Sequence, residues 1–312
     1  MKSWKVFAVL LMLSVVLAQN AASQITERHY RIYRGSGEAA TLQDVISAAR
    51  SVQVVFLGES HNDAVAHHLE KEILHQVWKP GLALSMEMFE RDIQHVMDEY
   101  LAGVITEEHL FASGRAWRNY KADYRPLVEF AKEKKMPVIA ANPPRRYVNR
   151  GSRLGAEALD SLDLNAKQFL PPLPYAKASE LYTEKFNRVM KESRSKDNQL
   201  SPEALARSLE AQSLWDAGMA YSIADFLTRN PEKQVLHVNG SFHTAYRLGI
   251  IEHLARYRPD LKTMVVTMVP EKSFPEFDRE KMLNQGDFVI VTDPDLPRSY
   301  SSVIPAAAKK QE

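Results

Sequence analysis

The chain of 312 residues contains no cysteine, and this absence excludes several kinds of protein. Without a thiol there is no disulfide framework, no thiolate metal site, no covalent c-type haem attachment and no lipid-modified N-terminal cysteine. Any bound metal, iron included, must therefore be held by His, Tyr, Met, Asp or Glu.

Net charge is also nearly absent, since the formal value is +1 at pH 7. Such a chain has no overall field that would gather nucleic acid or cover an anionic membrane, so we expect no nucleic-acid partner. The composition is 45% hydrophobic and 25% charged, which predicts a substantial core. At this length the core belongs to one large α/β domain or to two modest ones.

The apolar run near the start of the chain is too short for a comfortable membrane span, which needs about 20 apolar residues. It extends from Val6 to Ala18, follows Lys2 and Lys5, and precedes small residues that end at Ser23. This pattern predicts a secretory signal peptide over residues 1–23, cleaved after Ala18 or Ser23, with an uncleaved anchor as the alternative. We therefore expect an exported protein, periplasmic or envelope-associated, that lacks a lipobox cysteine.

Short β-branched runs alternate with helical patterns along most of the chain. Alternation of this kind predicts an α/β fold, namely a mainly parallel sheet flanked by helices. A short edge strand is expected in "HYRIYRG", before a helix from Leu42 to Arg50, and a helix in "TAYRLGIIEHLARY". The predicted core strands are Val52–Gly58, Leu82–Met88, Pro137–Asn142, Gln234–Gly240, Lys262–Val269 and Asp287–Asp293.

About ninety residues separate the third and fourth predicted core strands, too many for a simple crossover. The segment includes the connector "LPPLPY" and a long helix that starts at Ser201, with Pro202 in its first position. We predict a helical insertion or lid over residues 143–233, within an α/β core of 24–142 and 234–295. Residues 296–312 are expected to form a flexible C-terminal tail.

Polar side chains follow the predicted strands where each strand ends, and in an open parallel sheet ligands bind outside these ends. The two turns "GESH" and "GSFH" each place a His three residues after a Gly. Converging carboxylates and imidazoles can bind a divalent metal, activate water or hold polar groups of a ligand. The alternative is helix capping and simple pairing. The residues concerned are Gly58, Glu59, Ser60, His61, Glu87, Asn142, Asn239, Gly240, Ser241 and His243.

Two adjacent histidines lie in the helix predicted from Asp63. The apolar face of that helix is centred on Leu69, so His68 is expected on its flank and His67 is expected to point outward. Both are therefore predicted as surface or flank histidines, and their spacing differs from the His-Glu-x-x-His pattern of zinc enzymes.

Six motifs occur in order: "LGESHNDAVAHH", "ALSMEMFE", "AWRNYKADYRPLVEFAKEKKMPVIAANPPR", "LPPLPY", "AQSLWDAGMA" and "NGSFHT". Together they resemble the ChaN-type haem-binding uptake family of the Tiki/TraB/erythromycin-esterase-like superfamily, from about His29 to Pro270. The resemblance implies a bacterial envelope protein with non-covalently bound haem and a possible dimer in which two haems stack. ChaN-like proteins are often lipoproteins, so the missing cysteine favours a soluble periplasmic form here. The family's recurring positions fall on Gly58, Glu59, His61, Glu87, Gly240 and His243, and its paired histidine on His67 and His68.

The resemblance also suggests a tyrosine as ligand of the haem iron, a role known in other haem proteins. Tyr124, Tyr147, Tyr175 and Tyr182 are candidates, each with packing as the alternative role. Aromatic side chains such as Trp117 and Tyr120 would pack on the porphyrin, and arginines such as Arg145 and Arg146 would pair with its propionates. The predicted haem-binding residues are His61, His67, His68, Tyr124, Arg145, Tyr147, Tyr175 and His243.

Three functions remain open on these grounds. The first is haem binding in iron uptake or handling, with a homodimer and outer-membrane uptake components as expected partners. The second is a metal-dependent hydrolase, peptidase-like or esterase-like, in which Asn142 orients the substrate. The third is a vestigial site in a partner-binding envelope component. In the hydrolase the catalytic groups and metal ligands would be Glu59, His61, Glu87 and His243.

Overall fold

A computed structural model of the protein describes residues 25–194 and 199–300. The predicted signal peptide and residues 301–312 of the predicted tail lie outside the described residues. Within the described ranges, no helix combines the length and the apolar character needed to cross a membrane.

One eight-stranded sheet forms the centre of the protein, in the order β2-β1-β8-β7-β3-β6-β4-β5. The six strands from β8 to β5 run parallel to one another, and β1 pairs antiparallel with both β2 and β8. The predicted α/β fold with a mainly parallel sheet is confirmed. The strands are β1 (Tyr30–Arg34), β2 (Ala39–Ala40), β3 (Val54–Glu59), β4 (Leu82–Glu90), β5 (Val138–Asn142), β6 (Gln234–Gly240), β7 (Thr263–Pro270) and β8 (Phe288–Thr292).

Helices cover both faces of this sheet, and each parallel strand is buried along most of its length. Burial on both faces explains why these strands are continuous hydrophobic runs in the sequence. The α-helices of the described part are α1 (Leu42–Ala49), α2 (Ala64–Val77), α3 (Gln94–Leu101), α4 (Glu107–Ser113), α5 (Arg125–Glu133), α6 (Arg145–Leu154), α7 (Leu164–Lys167), α8 (Glu180–Glu192), α9 (Pro202–Arg229), α10 (Ile250–Tyr257) and α11 (Arg279–Met282).

Helices α6 to α9 lie between β5 and β6, where the insertion is predicted. The longest of them, α9, begins after Ser201, whose side chain caps the helix by accepting a hydrogen bond from the Ala204 amide. Its middle packs against β5 and the chain that follows it. At Gly218 a Cβ atom would lie 2.6 Å from the ring of Pro143, so the absence of a side chain permits this close approach.

Two local expectations differ from the structure. The strand predicted in "HYRIYRG" forms as β1, but it lies second in the sheet, because the two-residue β2 pairs with it and takes the edge. The helix predicted from Thr244 begins only at Ile250. Tyr246 and Gly249 have positive φ values of 65° and 61°, which interrupt a right-handed helix.

Candidate functional site

Three neighbouring strands in the middle of the sheet bring the predicted site residues together. β6 lies between β3 and β4, and Glu59 at the end of β3 is in register with Gly240 at the end of β6. Glu87, near the end of β4, accepts a hydrogen bond from the Gly240 amide through Oε2 at 2.7 Å. The carboxyl ends of these strands therefore form one polar edge.

Imidazoles and carboxylates alternate along this edge. Glu59 Oε1 lies 2.9 Å from His61 Nδ1, and Glu87 Oε1 lies 3.9 Å from His61 Nε2 and 3.6 Å from His243 Nε2. A Cβ atom on Gly240 would lie 2.9 Å from His61 Nε2 and 3.6 Å from Glu87 Oε2, so a glycine is needed for this approach. All four residues predicted as metal-binding or catalytic take part in this series of contacts.

His243 is held from the insertion by a residue that the sequence does not single out. Its Nδ1 lies 2.5 Å from Oδ1 of Asp216, which is fully buried on α9. Burial opposes a charge on His243, but the charges of Glu87 and Asp216 outweigh it and raise the pKa of His243. Helix α9 therefore helps to orient the side chain that meets Glu87.

His61 is the most accessible member of this edge, with 32% of its side chain exposed. Burial lowers the pKa of His61, but its hydrogen bond to Glu59 and the charges of Glu87 and Glu59 raise it to about 8. The edge of Trp117 packs against the imidazole, with the ring centroids 5.0 Å apart. A half-exposed imidazole with a pKa near neutrality can accept or donate a proton at this position.

A second cluster lies directly behind His61 and contains His67. The expectation that His67 points outward is wrong, because it is only 7% exposed and its Nδ1 lies 3.0 Å from Glu59 Oε2 and 3.2 Å from Glu70 Oε2. The π-helical turn Tyr120–Tyr124 covers this face of α2, and Tyr124 packs edge-on against His67. Helical periodicity identifies an apolar face, but it does not show what covers the neighbouring faces.

Charge is unequally distributed within this second cluster. Burial opposes ionisation of Glu59, but hydrogen bonds from His61 and His67 lower its pKa to about 2. Burial likewise opposes a charge on His67, but hydrogen bonds to Glu59 and Glu70 raise its pKa to about 12. Burial and the charge of Glu59 raise the pKa of Glu70 to about 8. Ligand atoms of Glu59, His67 and Glu70 all lie within 4.8 Å of one another. Of the four residues predicted as metal ligands, only Glu59 belongs to this group.

Two of the candidate tyrosines lie inside the protein. Tyr124 donates a hydrogen bond to Glu59 Oε1 at 2.7 Å, and Tyr182 lies beside Asp216. Burial and the nearby carboxylates raise the pKa of both hydroxyl groups. Both side chains are at most 1% exposed, so neither hydroxyl group is as accessible to a ligand as the half-buried tyrosines of the insertion.

Tyr147 and Tyr175 instead lie half-buried in the insertion, packed against one apolar cluster. Arg146 covers the ring of Tyr147 at 4.4 Å and pairs with Asp92, while Arg145 is exposed. Tyr175 lines a largely apolar cavity of ≈ 310 Å³. Its other lining residues are Ala156, Glu157, Asp160, Leu173, Pro174, Lys177, Ala178, Ala206, Leu209, Glu210 and Ser213.

The remaining predicted site residues are more distant from these contacts. His68 is partly exposed on α2, and burial lowers its pKa. Tyr120 is buried against Phe89. Asn142 is buried at the end of β5, and its Oδ1 has no hydrogen bond within the described part of the chain.

Sequence reasoning missed Asp216, Glu70 and Asp123. Glu70 could have been found, because it lies three residues after His67 and therefore on the same side of the helix. Asp123 lies 3.4 Å from His67 Nε2 through tertiary packing alone. The start of the predicted tail also reaches this cluster, since the Ser299 hydroxyl donates to Asp123 Oδ2 at 2.9 Å.

The fold and this edge define an α/β protein with a histidine–carboxylate site at the carboxyl ends of its central strands. Residues 45–254 match the family described as haem-binding uptake, Tiki superfamily, ChaN, and the chain belongs to this family. The resemblance identified from the motifs is thereby confirmed.

One solved structure has the same fold, and a second is less similar. The structure titled "Cofacial heme binding to ChaN of Campylobacter jejuni" is 19% identical, with a TM-score of 0.65 over 85% of this chain and 98% of that one. A mutant of the erythromycin esterase EreC in its open conformation is 12% identical, with a TM-score of 0.45 over 85% and 83% of the two chains. A search of curated proteins found no significant match.

Proposed function

We propose that the protein binds haem non-covalently through its helical insertion. The observation that carries this proposal is the half-buried Tyr175 on the wall of an apolar cavity, in a chain of a haem-binding uptake family. The cavity volume of ≈ 310 Å³ is near the lower end of the range for small-molecule sites, about 300 to 1,000 Å³. Such a site would leave part of a porphyrin outside this chain.

Several residues of the cavity fit the parts of a porphyrin, and three carboxylates, Glu157, Asp160 and Glu210, also line it. Leu173 and Leu209 supply apolar surface for its face, and the Tyr175 hydroxyl is the oxygen ligand available to its iron. That hydroxyl donates only a long hydrogen bond of 3.2 Å, to the Glu210 carbonyl, and burial raises its pKa. Lys177 is the cation at the cavity that can meet a propionate.

Titration of the purified protein with hemin tests this proposal. We expect a saturable Soret shift that Tyr175→Phe weakens strongly. Tyr147→Phe, in the same apolar cluster, is the matched control and should bind as the wild type does. The absence of a saturable shift would reject haem binding, and equal binding by the Tyr175 variant would reject this site.

The proposal extends to a dimer and to the cell envelope. A cavity that encloses only part of a porphyrin suits two chains that face each other, and ChaN of Campylobacter jejuni binds haem cofacially. Sedimentation should then show hemin-dependent dimerisation. The N-terminal pattern of Lys2, Lys5 and an apolar run supports export, which cell fractionation tests. Together these features favour a role in haem uptake or handling.

Hydrolysis is the second candidate function, favoured by the alternating contacts from Glu59 through His61, Glu87 and His243 to Asp216. His61 and His243 would transfer protons on either side of Glu87. Ester and peptide substrates, assayed with and without a divalent ion, test this function. Activity that survives substitution of both histidines by Gln would eliminate it.

A further inference from the structure

We infer that Glu59, His67 and Glu70 form a buried site for a small divalent transition-metal ion of the Zn²⁺ or Mn²⁺ class. The site lies between the end of β3 and helix α2, away from the haem cavity in the insertion. It shares Glu59 with the strand-end edge but not Glu87 or His243. It goes beyond haem binding, and neither function requires the other.

The spacing of the three side chains matches that of ligands on one ion. His67 Nδ1 lies 3.0 Å from Glu59 Oε2 and 3.2 Å from Glu70 Oε2. Two ligand atoms at zinc-ligand distances of about 2.1 Å lie roughly 3.0 to 3.4 Å apart in tetrahedral or octahedral geometry. Each glutamate is therefore at ligand spacing from His67, and ligand atoms of all three residues lie within 4.8 Å of one another.

An unpaired oxygen atom in this cluster points to a missing cation. Within the described residues Glu70 Oε1 accepts no hydrogen bond, and Glu59 Oε2 has only its ion pair with His67, although both glutamates are at most 1% exposed. In the part of the chain that the structure describes, the ion pairs of both glutamates are with histidines only. Glu70 can also chelate through both oxygens, which would supply a fourth ligand atom.

The opposite side of His67 has the partners that orient a metal-binding histidine. Nε2 lies 3.2 Å from the His61 carbonyl and 3.4 Å from Asp123 Oδ2, both hydrogen-bond acceptors. Asp123 is itself held by Asn119 at 2.7 Å and by the Ser299 hydroxyl at 2.9 Å. When a metal ion replaces the Nδ1 proton, these contacts keep the remaining proton on Nε2 and leave Nδ1 facing the two carboxylates, as in carboxylate–histidine–metal arrangements.

The ligand set selects the class of ion. One imidazole nitrogen with two carboxylates suits Zn²⁺, Mn²⁺ or Fe²⁺. Ca²⁺ prefers six to eight oxygen ligands at longer distances, so it should not compete.

Equilibrium dialysis of metal-stripped, hemin-free full-length protein against Zn²⁺ tests this inference. We expect about one ion per chain, unaffected by excess Ca²⁺. His67→Gln and Glu70→Gln should lose it, and Asp123→Asn should weaken binding about 10- to 100-fold. Glu72→Gln and His75→Gln, more exposed on the same helix, are matched controls that should retain it.

Several outcomes would overturn the inference. The first is the absence of bound Zn²⁺ in the wild type, and the second is full Zn²⁺ binding by both His67→Gln and Glu70→Gln. The third is loss of Zn²⁺ binding in Glu87→Gln while the other variants still bind it. The last result would assign the ion to the strand-end site instead. Circular dichroism checks the folding of each variant. If His67→Gln unfolds, the nearly isosteric Glu70→Gln and the partial loss of Zn²⁺ affinity expected in Asp123→Asn test the inference instead. Hemin binding by the same samples is measured separately, so failure of one function is distinguishable from failure of the other.

Discussion

The contact between Asp216 and His243 connects the helical insertion to the strand-end site and can be tested by stability. Both side chains are buried, and the two atoms are 2.5 Å apart. Asp216→Leu replaces the acceptor with a larger apolar side chain, so His243 retains a buried polar nitrogen without its partner. Loss of one member of a buried pair costs about 3 to 5 kcal/mol of unfolding free energy.

A matched variant on the same helix separates burial from charge. Asp225 also pairs with cations, Arg91 and Arg229, but its side chain is 26% exposed. Asp225→Leu should therefore cost about 1 kcal/mol or less, because water and salt screen the pair. The double variant Asp216→Leu/His243→Leu should recover part of the loss, since an apolar pair leaves no polar group unpaired.

Urea unfolding at pH 7 of the wild type, Asp216→Leu, His243→Leu, Asp225→Leu and the double variant gives these free energies and the coupling between Asp216 and His243. We expect a coupling of at least about 2 kcal/mol. An Asp216→Leu variant no less stable than Asp225→Leu, or a double variant no more stable than Asp216→Leu, would refute the reasoning.

Three further predictions concern single buried residues. Burial and the charge of His243 lower the pKa of His237 to about 3, so below pH 6.5 only the unfolded state takes up this proton. The unfolding free energy should then fall by up to about 1.4 kcal/mol per pH unit toward pH 3, and His237→Gln should flatten this slope in acid titrations. Burial lowers the pKa of Lys185 to about 8 despite nearby carboxylates. Between pH 8 and 10.5 the unfolded state therefore keeps a proton that the folded state has lost, so the unfolding free energy of the wild type should rise with pH. An equal rise in Lys185→Met would contradict this. Gly218→Ala should lower the unfolding free energy by about 1 to 3 kcal/mol, because its Cβ would lie 2.6 Å from the Pro143 ring, and an unchanged melting temperature would argue against that clash.

Much of the fold could be predicted because its strands are buried on both faces. A run such as Val54–Leu57 can only be a core strand or a core helix, and its length and β-branching favour the strand. The interruption before Ile250 could not be predicted. Positive φ values at Tyr246 and Arg247 arise from how the chain packs after β6, and neither residue type indicates them.

For the site, the sequence predicted which polar side chains follow the ends of the strands. Glu59, His61, Glu87 and His243 were named from their positions after hydrophobic runs, and the structure places them on one edge. The environment of His67 was not predictable from the helical pattern. Its burial depends on Glu59 from another element and on the turn that contains Tyr124.

The sequence alone determined the absence of thiol chemistry, the α/β class and the side chains available at the strand ends, because these follow from composition and local periodicity. The tertiary structure decided that β6 lies between β3 and β4, which brings the Gly240 amide to Glu87 across 153 positions of the chain. It also decided that Asp216 reaches His243. Contacts between distant segments depend on strand order and helix docking, and neither can be predicted from local sequence patterns.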